Sequence, residues 1–273
     1  MSGRAIDHVV LATRSLDHAA ATYEQLGFTL TQRAMHEDRM GTSNRLAQFE
    51  GRNFIELLEV DRPDGLLPHD LGGDPPFFSF GDHNRLALEE REGLSMLVFA
   101  SDDARADLGR FEAAGMRAAP FDFERQAVLP DGSTATVSFS LAFAWSPDMP
   151  KVGLFSCQNR APHYFWKPQY QDHANGARAI AAVYLASPEP QRDARFIGAM
   201  FCGEVSPVAD GWCVACGGEQ TVMVLTPEAV ARRDTSFGPA AGPALAGIHL
   251  AGVSRETTPS SAAHGMFIAW GDG

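Results

Sequence analysis

The feature that most constrains this chain is an internal repetition of one order of elements: a strand, a helix and three more strands. Residues 5–12 (AIDHVVLA) are an apolar strand, and the helix that follows begins after Ser15 and ends at Gly27. The same order restarts at Gly93 and again at Ala179, where AIAAVYLA aligns without a gap with AIDHVVLA. Each unit must bury an apolar face against a neighbour, so we expect the units to pair.

A fourth, shortened copy runs from LAGIHLAG to GMFIAW, and its middle is too short and too rich in Ser, Thr and Pro for a full helix. Four units predict an α+β fold of repeated βαβββ modules. A length of 273 residues allows two modest domains. We place the boundary in the polar segment 167–176, which gives an N-terminal domain, 1–170, and a C-terminal domain, 177–273.

Composition excludes several classes of protein. There are 34 acidic and 22 basic residues, a net charge of −12, and the basic residues are not clustered, so we expect no nucleic-acid partner and no anionic membrane partner. The apolar runs are far shorter than the roughly 20 residues of a membrane-spanning helix. Four cysteines and an N-terminus without a signal-peptide pattern favour a reduced, cytoplasmic protein.

A single CxxC, residues 213–216, is a weak zinc signal, and we interpret it as small thiols in a strand.

Glu56 is the residue whose position most strongly indicates function. It lies in the strand FIELLEV on the same face as Phe54 and Leu58, and a carboxylate on a buried face is costly unless it is paired or ligated. His8 has the apolar neighbours Ile6 and Val10 on its own strand face. It is either a hydrogen-bonded core histidine or a partner of Glu56 in one polar site.

Further polar residues lie where they could reach a substrate. His36, Asn44 and Arg45 could line the mouth of a binding site; alternatively, residues 41–43 form a turn whose backbone Asn44 satisfies. We interpret residues 82–85 (DHNR) as a solvated connector between copies one and two. Cys157 lies near His163 in sequence, but nothing in its surroundings indicates an activated thiol.

The module order and an ordered set of short motifs resemble the glyoxalase-like domain proteins of the vicinal oxygen chelate superfamily, which also includes extradiol dioxygenases and bleomycin-resistance proteins. The motifs are IDHVV from Ile6, His36 followed by MGTSNR, FIELL from Phe54, FSCQ from Phe155 and HANGA from His173. The resemblance implies modules paired into cupped mixed sheets. It also implies a divalent metal (Zn, Fe, Mn or Ni) on the concave side, with His8 and Glu56 as ligands.

The later copies depart from this ligand pattern. At the position of His8 they carry Met96, Ala182 and Gly247, and at the position of Glu56, within one residue of register, they carry Ser156, Met223 and Ala269. None of these is a good ligand for a hard metal. Four polar residues near the end of copy two could substitute or bind substrate: Gln158, Asn159, His163 and His173. We expect the second domain to support folding or to close a cavity.

The resemblance implies a metal-dependent lyase, isomerase or dioxygenase that acts on a small oxygenated organic molecule. His8 and Glu56 are then the catalytic residues, as metal ligands or as an acid–base pair, and His36, Asn44, Arg45 and Gln158 bind substrate. The alternative is a non-catalytic small-molecule binder of the bleomycin-resistance type. A third hypothesis is a structural partner protein with a closed cup. A homodimer is a further expectation, because unpaired modules of this superfamily often dimerise.

Overall fold

The computed structural model describes residues 3–128, 132–238 and 242–271, and its strands form two curved mixed sheets. The elements, in chain order, are β1 (Ile6–Thr13), α1 (Leu16–Gln25), β2 (Ala34–Met35), β3 (Thr42–Gln48), β4 (Phe54–Val60), α2 (Phe80–Glu90), β5 (Gly93–Ala100), α3 (Ala104–Ala113), β6 (Arg117–Val128), β7 (Thr134–Trp145), β8 (Gly153–Asn159), α4 (Pro162–Phe165), β9 (Ala177–Ala186), α5 (Pro190–Phe201), β10 (Val205–Val208), β11 (Gly211–Ala215), β12 (Thr221–Leu225), α6 (Pro227–Arg233), β13 (Ala244–Gly252) and β14 (Phe267–Trp270). The α+β class and the repeated module order are confirmed.

Strand pairing places equivalent strands of the copies at equivalent positions. The eight-stranded sheet has the order β2-β3-β4-β1-β5-β8-β7-β6, with β1 and β5 antiparallel at its centre and β4 and β8 parallel to them. The six-stranded sheet has the order β10-β11-β12-β9-β13-β14, and its antiparallel pair β9 and β13 corresponds to β1 and β5. In copy four, the described residues between β13 and β14 hold only a three-residue 3₁₀ helix, Ser260–Ala262.

The central strands of both sheets bury their backs in one shared apolar cluster. Val9 and Leu97 of the first sheet and Val183 and Ile248 of the second are fully buried in it, together with residues of α1, α3 and α5. The opposite face of each sheet is concave and has a separate cluster. We call the concave face of the eight-stranded sheet the first cup and that of the six-stranded sheet the second cup.

Local sequence signals explain where the first helix begins and ends. The Ser15 side chain accepts a hydrogen bond from the backbone N–H of His18, as an N-cap does. The chain leaves α1 through Gly27, whose φ of +88° is a conformation that glycine adopts without strain. Both predicted ends are confirmed.

The prediction of a solvated connector at residues 82–85 is wrong. These residues lie in α2, which Ser79 caps by accepting a hydrogen bond from Asp82 N. His83 and Asn84 are buried against β5, where Asn84 Oδ1 accepts a hydrogen bond from the Ser95 hydroxyl at 2.7 Å. Packing stabilises the helix at this position: Phe80 of α2 is buried in the apolar cluster of the first cup. Nowhere in the described ranges is a helix both long and apolar enough to cross a membrane.

Candidate functional site

A cavity of about 50 Å³ lies on the concave face of the first cup. A water molecule needs roughly 10–15 Å³ of such space, so the cavity holds about three to five waters. Its polar lining comes mainly from copy one, and its apolar lining comes largely from copy two. Its polar residues include Asp7, His8, His36, Asn44 and Glu56.

His8 reaches the cavity because β1 contains a β-bulge. The register with β5 shifts between Ile6 and His8, so Ile6 joins the cluster on the back of the sheet. The expectation that Ile6 shares the face of His8 is therefore wrong. The bulge also brings Asp7 to the cavity, where its Oδ1 lies 2.5 Å from His8 Nδ1. Because an ionised carboxylate only accepts hydrogen bonds, His8 Nδ1 carries the proton and donates a hydrogen bond to Asp7.

Glu56 lies beside His8, as the predicted site requires. Its carboxylate is 5 % exposed, and its Oε2 lies 3.6 Å from His8 Nε2. Its Oε1 accepts a hydrogen bond of 2.6 Å from Asn44 Nδ2 and lies 3.7 Å from His36 Nε2. The structure therefore gathers an imidazole and a carboxylate of copy one into one hollow.

His36 and Asn44 form the second polar arm of the site. Asn44 Nδ2 lies 3.1 Å from His36 Nε2, and His36 Nδ1 lies 2.8 Å from the Thr42 hydroxyl. Since the amide donates, Nε2 of His36 is the acceptor, and its Nδ1–H donates to Thr42. Arg62 holds this segment by donating to the backbone carbonyls of His36 and Thr42, at 3.0 Å each. Asn44 Oδ1 is buried and has no hydrogen-bond partner.

Copy two supplies the apolar half of the cavity. The ladder places Val10 beside Glu56 and the corresponding Val98 beside Phe155, so Phe155 occupies the position of Glu56. Ser156, the residue that alignment suggested, is one position out of register, and strand alternation places it on the other face of β8 from Phe155. Met223 and Ala269 do occupy that position in the second sheet, as their pairing registers show.

Aromatic rings form most of the cavity wall. His8 stacks on Phe54 with ring centroids 4.3 Å apart, and the edge of His36 faces Phe80 and Phe123 at 5.9 Å each. The phenylalanines of the wall are Phe54, Phe80, Phe123, Phe139, Phe155 and Phe165. The polar groups thus lie in a low-dielectric pocket, where their interactions are stronger than in water.

Two predicted substrate-binding residues lie outside the cavity. Arg45 lies on the opposite strand face from Asn44, and it donates to Thr31 O at 2.8 Å and to Glu24 at 2.8 Å. Gln158 donates to Asp102 O at 2.6 Å, near the start of α3. His173 is buried at the seam, between Thr29 N and Gln48 O. Asn159 does line the cavity.

Cys157 also lines the cavity, but its thiol is not activated. Burial, together with the negative charges of Asp7 and Glu56, raises its pKa well above the ordinary value. A thiolate is the nucleophilic form, so this residue is an inert part of the wall.

The donors present do not fit a resident divalent metal. Catalytic zinc sites and the related sites of non-haem iron take three protein ligands, and the corresponding positions of copy two carry Met96 and Phe155. Within the described ranges no three His, Cys, Asp or Glu side chains are placed to hold a metal ion. His8 Nδ1 and Glu56 Oε1 make hydrogen bonds, which is compatible with metal ligation through the other atom of each group, but this pair supplies only two ligands. The chemistry of the first cup therefore rests on its own side chains.

Sequence reasoning missed Asp7 and the phenylalanine wall. Asp7 adjoins His8 in sequence, but strict strand alternation assigns it to the other face. The alternating phenylalanines of β6 and β7, among them Phe121, Phe123, Phe139 and Phe143, were a signal for an apolar concave face.

Comparisons with known proteins agree with this architecture. The model of a glyoxalase-like domain matches residues 6–200. A hypothetical protein from Staphylococcus aureus matches with a TM-score of 0.73 and 13% identity, over 97% of this chain and 98% of that one. A Mn(II)-bound glyoxalase from Novosphingobium aromaticivorans matches with a TM-score of 0.52 and 13% identity, over 93% of this chain and 67% of that one.

A mutant 4-hydroxymandelate synthase from Streptomyces coelicolor matches with a TM-score of 0.52 and 14% identity, over 93% of this chain and 72% of that one. At such identities the structural matches show the fold alone. No curated protein matches the sequence.

Proposed function

The chain belongs to the glyoxalase-like domain family of the vicinal oxygen chelate superfamily, and we propose that its first cup is a metal-independent proton-transfer site for a small oxygenated organic substrate. The observation that carries the proposal is the environment of Glu56. Its carboxylate is buried in a wall of phenylalanines, and of the described residues that line the cavity none is an arginine or a lysine. Such burial is costly, and the cost is explained if the carboxylate serves a ligand.

In the proposed mechanism Glu56 is the general base. Asn44 fixes Oε1, and Oε2, the oxygen nearer to His8, takes a proton from a substrate carbon next to a carbonyl or hydroxyl group. His8 Nε2 lies beside Oε2 and accepts that proton, and Asp7 stabilises the imidazolium that forms. Return of the proton to the same or the neighbouring atom gives epimerisation or isomerisation, the reaction classes that this pair can perform without a metal.

Solvent hydrogen exchange tests this mechanism directly. The purified protein is incubated in D₂O with a panel of small ketones, hydroxyketones, aminoketones and 2-hydroxy acids, and loss of the C–H signal is followed by proton NMR. We expect exchange into at least one member and a loss of about a hundredfold or more in Glu56→Gln. Glu59→Gln, on the same strand but outside the cavity, is the matched control and should exchange at the wild-type rate.

Three results would overturn the proposal. Exchange that Glu56→Gln does not slow removes Glu56 as the base. Exchange that a chelator abolishes shows that a metal is required. Exchange that is absent from every member in the wild type favours the second candidate, a non-catalytic binder. The phenylalanine wall favours that candidate, because it supplies binding area without reactive groups.

A further inference from the structure

The first cup carries a second signal that concerns its ligand rather than its reaction. Asn44 lines the cavity, and its Oδ1 is buried without any donor from the protein. Its orientation is set by Glu56, because exchanging the amide O and N would place Oδ1 2.6 Å from a carboxylate oxygen. A buried acceptor without a donor costs about 1–3 kcal/mol, so a donor in the cavity, either a water molecule or a group of the ligand, stabilises the site, and a ligand that displaces water here must donate a hydrogen bond in its place.

The Asp, Glu, Arg and Lys side chains among the described lining of the cavity are all acidic. Asp7 and Glu56 line the same cavity, and its described residues include no arginine or lysine. The basic side chains near the site do not line the cavity: Arg39 pairs with Glu37 and lies over the Phe121 ring, Arg45 pairs with Glu24, and Arg62 donates to the backbone carbonyls of His36 and Thr42. A carboxylate or phosphate ligand would thus meet like charges in a desolvated pocket, whereas a cation would be attracted.

The aromatic wall has the same preference. The faces of phenylalanine rings attract an ammonium group by about 0.5–2 kcal/mol, most strongly where water is excluded. Phe54, Phe139 and Phe155 surround the cavity and are at most 8 % exposed. The hydrogen-bond acceptors, the carboxylates and the aromatic lining of the cavity therefore all favour a positively charged donor.

The space available defines the shape of the ligand. The inner cavity of about 50 Å³ takes a head group, and it adjoins an outer cleft of about 370 Å³ that shares Asn44, Leu46 and Phe165 with it. The outer cleft also has Met35, Val137 and Tyr164 in its lining, which suit an apolar or aromatic body.

We propose that the first cup selects an organic ammonium compound, whose charged head enters the inner cavity and donates to Asn44 Oδ1 while its apolar or aromatic body occupies the outer cleft. The inference deepens the proposed function and rests on it, since both place the ligand in the same cup.

Three probes of nearly equal shape test the preference: 2-phenylethylammonium, 2-phenylethanol and 3-phenylpropionate, each titrated into the protein by calorimetry. We expect the ammonium compound to bind about tenfold or more tightly than the alcohol, and the carboxylate to bind more weakly than both. Asn44→Leu should weaken ammonium binding about tenfold or more. Gln25→Leu, at an exposed position of α1 outside both the inner cavity and the outer cleft, is the matched control and should leave that affinity within about twofold.

The inference is overturned if the carboxylate or the alcohol binds as tightly as the ammonium compound, if no probe saturates at millimolar concentration, or if folded Asn44→Leu keeps wild-type affinity. Should Asn44→Leu fail to fold, the comparison of the three probes on the wild type decides alone. Ammonium binding without hydrogen exchange would contradict the proposed function and leave this inference standing. Hydrogen exchange on a neutral or anionic substrate without ammonium binding would contradict this inference and leave the proposed function standing.

Discussion

The two cups of this protein have the same strand topology and opposite interiors. The first keeps Glu56 and His8 beside a cavity, whereas the second has Met223 and Ala182 at the equivalent positions. A helix follows the fourth strand of the leading module in both halves, α2 in one and α6 in the other. In the second cup Phe237, Tyr184, Phe267 and the α6 residues Ala229 and Val230 form a continuous apolar cluster.

The difference shows which part of the module is needed for folding and which part is available for chemistry. The backs of both sheets are equally apolar and fully buried, so they meet the folding requirement in both halves. The concave faces are free to differ, because a cup can be stabilised either by filling it with side chains or by satisfying polar groups in pairs. The second cup is filled with side chains, whereas the part of the first cup that holds the site contains paired polar groups.

The largest expected effect is on stability and comes from the filled cup. Phe267 is 1 % exposed, and Phe267→Ala should lower the free energy of unfolding by about 3–5 kcal/mol in urea titrations. Phe139→Ala in the first cup is the matched variant, and we expect it to cost at least about 1 kcal/mol less, because its ring lines a cavity and has fewer contacts to lose. Equal costs would mean that the first cup is as tightly packed as the second.

The next effect is a pH dependence that belongs to the first cup. Burial lowers the pKa of His83 in α2 to about 4, against an ordinary value of 6.5. Between these values the unfolded chain binds more protons than the folded one. This contribution to stability is therefore complete above pH 6.5 and is lost as the pH falls towards 4, by about 3 kcal/mol in total.

Urea titrations at pH 7, 5.5 and 4.5 measure this loss. His83→Gln should flatten the dependence relative to the wild type, whereas His163→Gln, at an exposed position, should not. A wild-type profile that His83→Gln leaves unchanged would show that other groups carry the acid sensitivity.

A smaller effect follows from copying the second cup into the first. Glu56→Met places the residue type of Met223 at the equivalent position. Replacing a whole buried polar cluster by apolar residues is often neutral or stabilising, whereas removing one partner leaves another unsatisfied; because Asn44 Nδ2 keeps His36 Nε2 as a partner, we expect a net change within about 1 kcal/mol of zero. Thermal unfolding measures it, with Glu59→Met as the control. A loss of more than about 2 kcal/mol would show that Glu56 is required for folding.

The smallest effect concerns Arg45, which the structure places outside the cavity. Its ion pair with Glu24 is partly exposed, so Arg45→Ala should cost about 0.2–1 kcal/mol in urea titrations. Hydrogen exchange and ammonium binding should stay at wild-type levels. A clear loss of either would mean that the residue reaches the ligand after all.

The repeated fold could be predicted from the sequence because its signals are local. Ser15, Gly27 and the apolar alternation around Glu56 each act within a few residues. Features that depend on pairing between distant strands could not be predicted. The bulge that brings Asp7 to the cavity arises from the register of β1 with β5, and Phe155 replaces Ser156 because of a register seen only in the ladder with Val98.

The helix α2 was missed for a different reason. Its N-terminal signal, Ser79 followed by Asp82, is present in the sequence, but it follows two prolines and lies among residues typical of a linker. The helix is stabilised by the burial of Phe80 in the first cup. The residues that surround Phe80 there come from strands that are distant in sequence, so a local pattern cannot reveal this contact.

The shared backing of the two sheets links the two halves. Phe99 of the first sheet stacks on Phe201 of α5, and Arg91 donates to the backbone carbonyl of Leu245 at 3.2 Å. A fragment that ends at residue 170 would therefore expose a broad apolar surface, and copies of the fragment would associate through it. The C-terminal half therefore cannot be removed without exposing the core of the N-terminal half. We expect thermal unfolding of the whole chain to be a single cooperative transition.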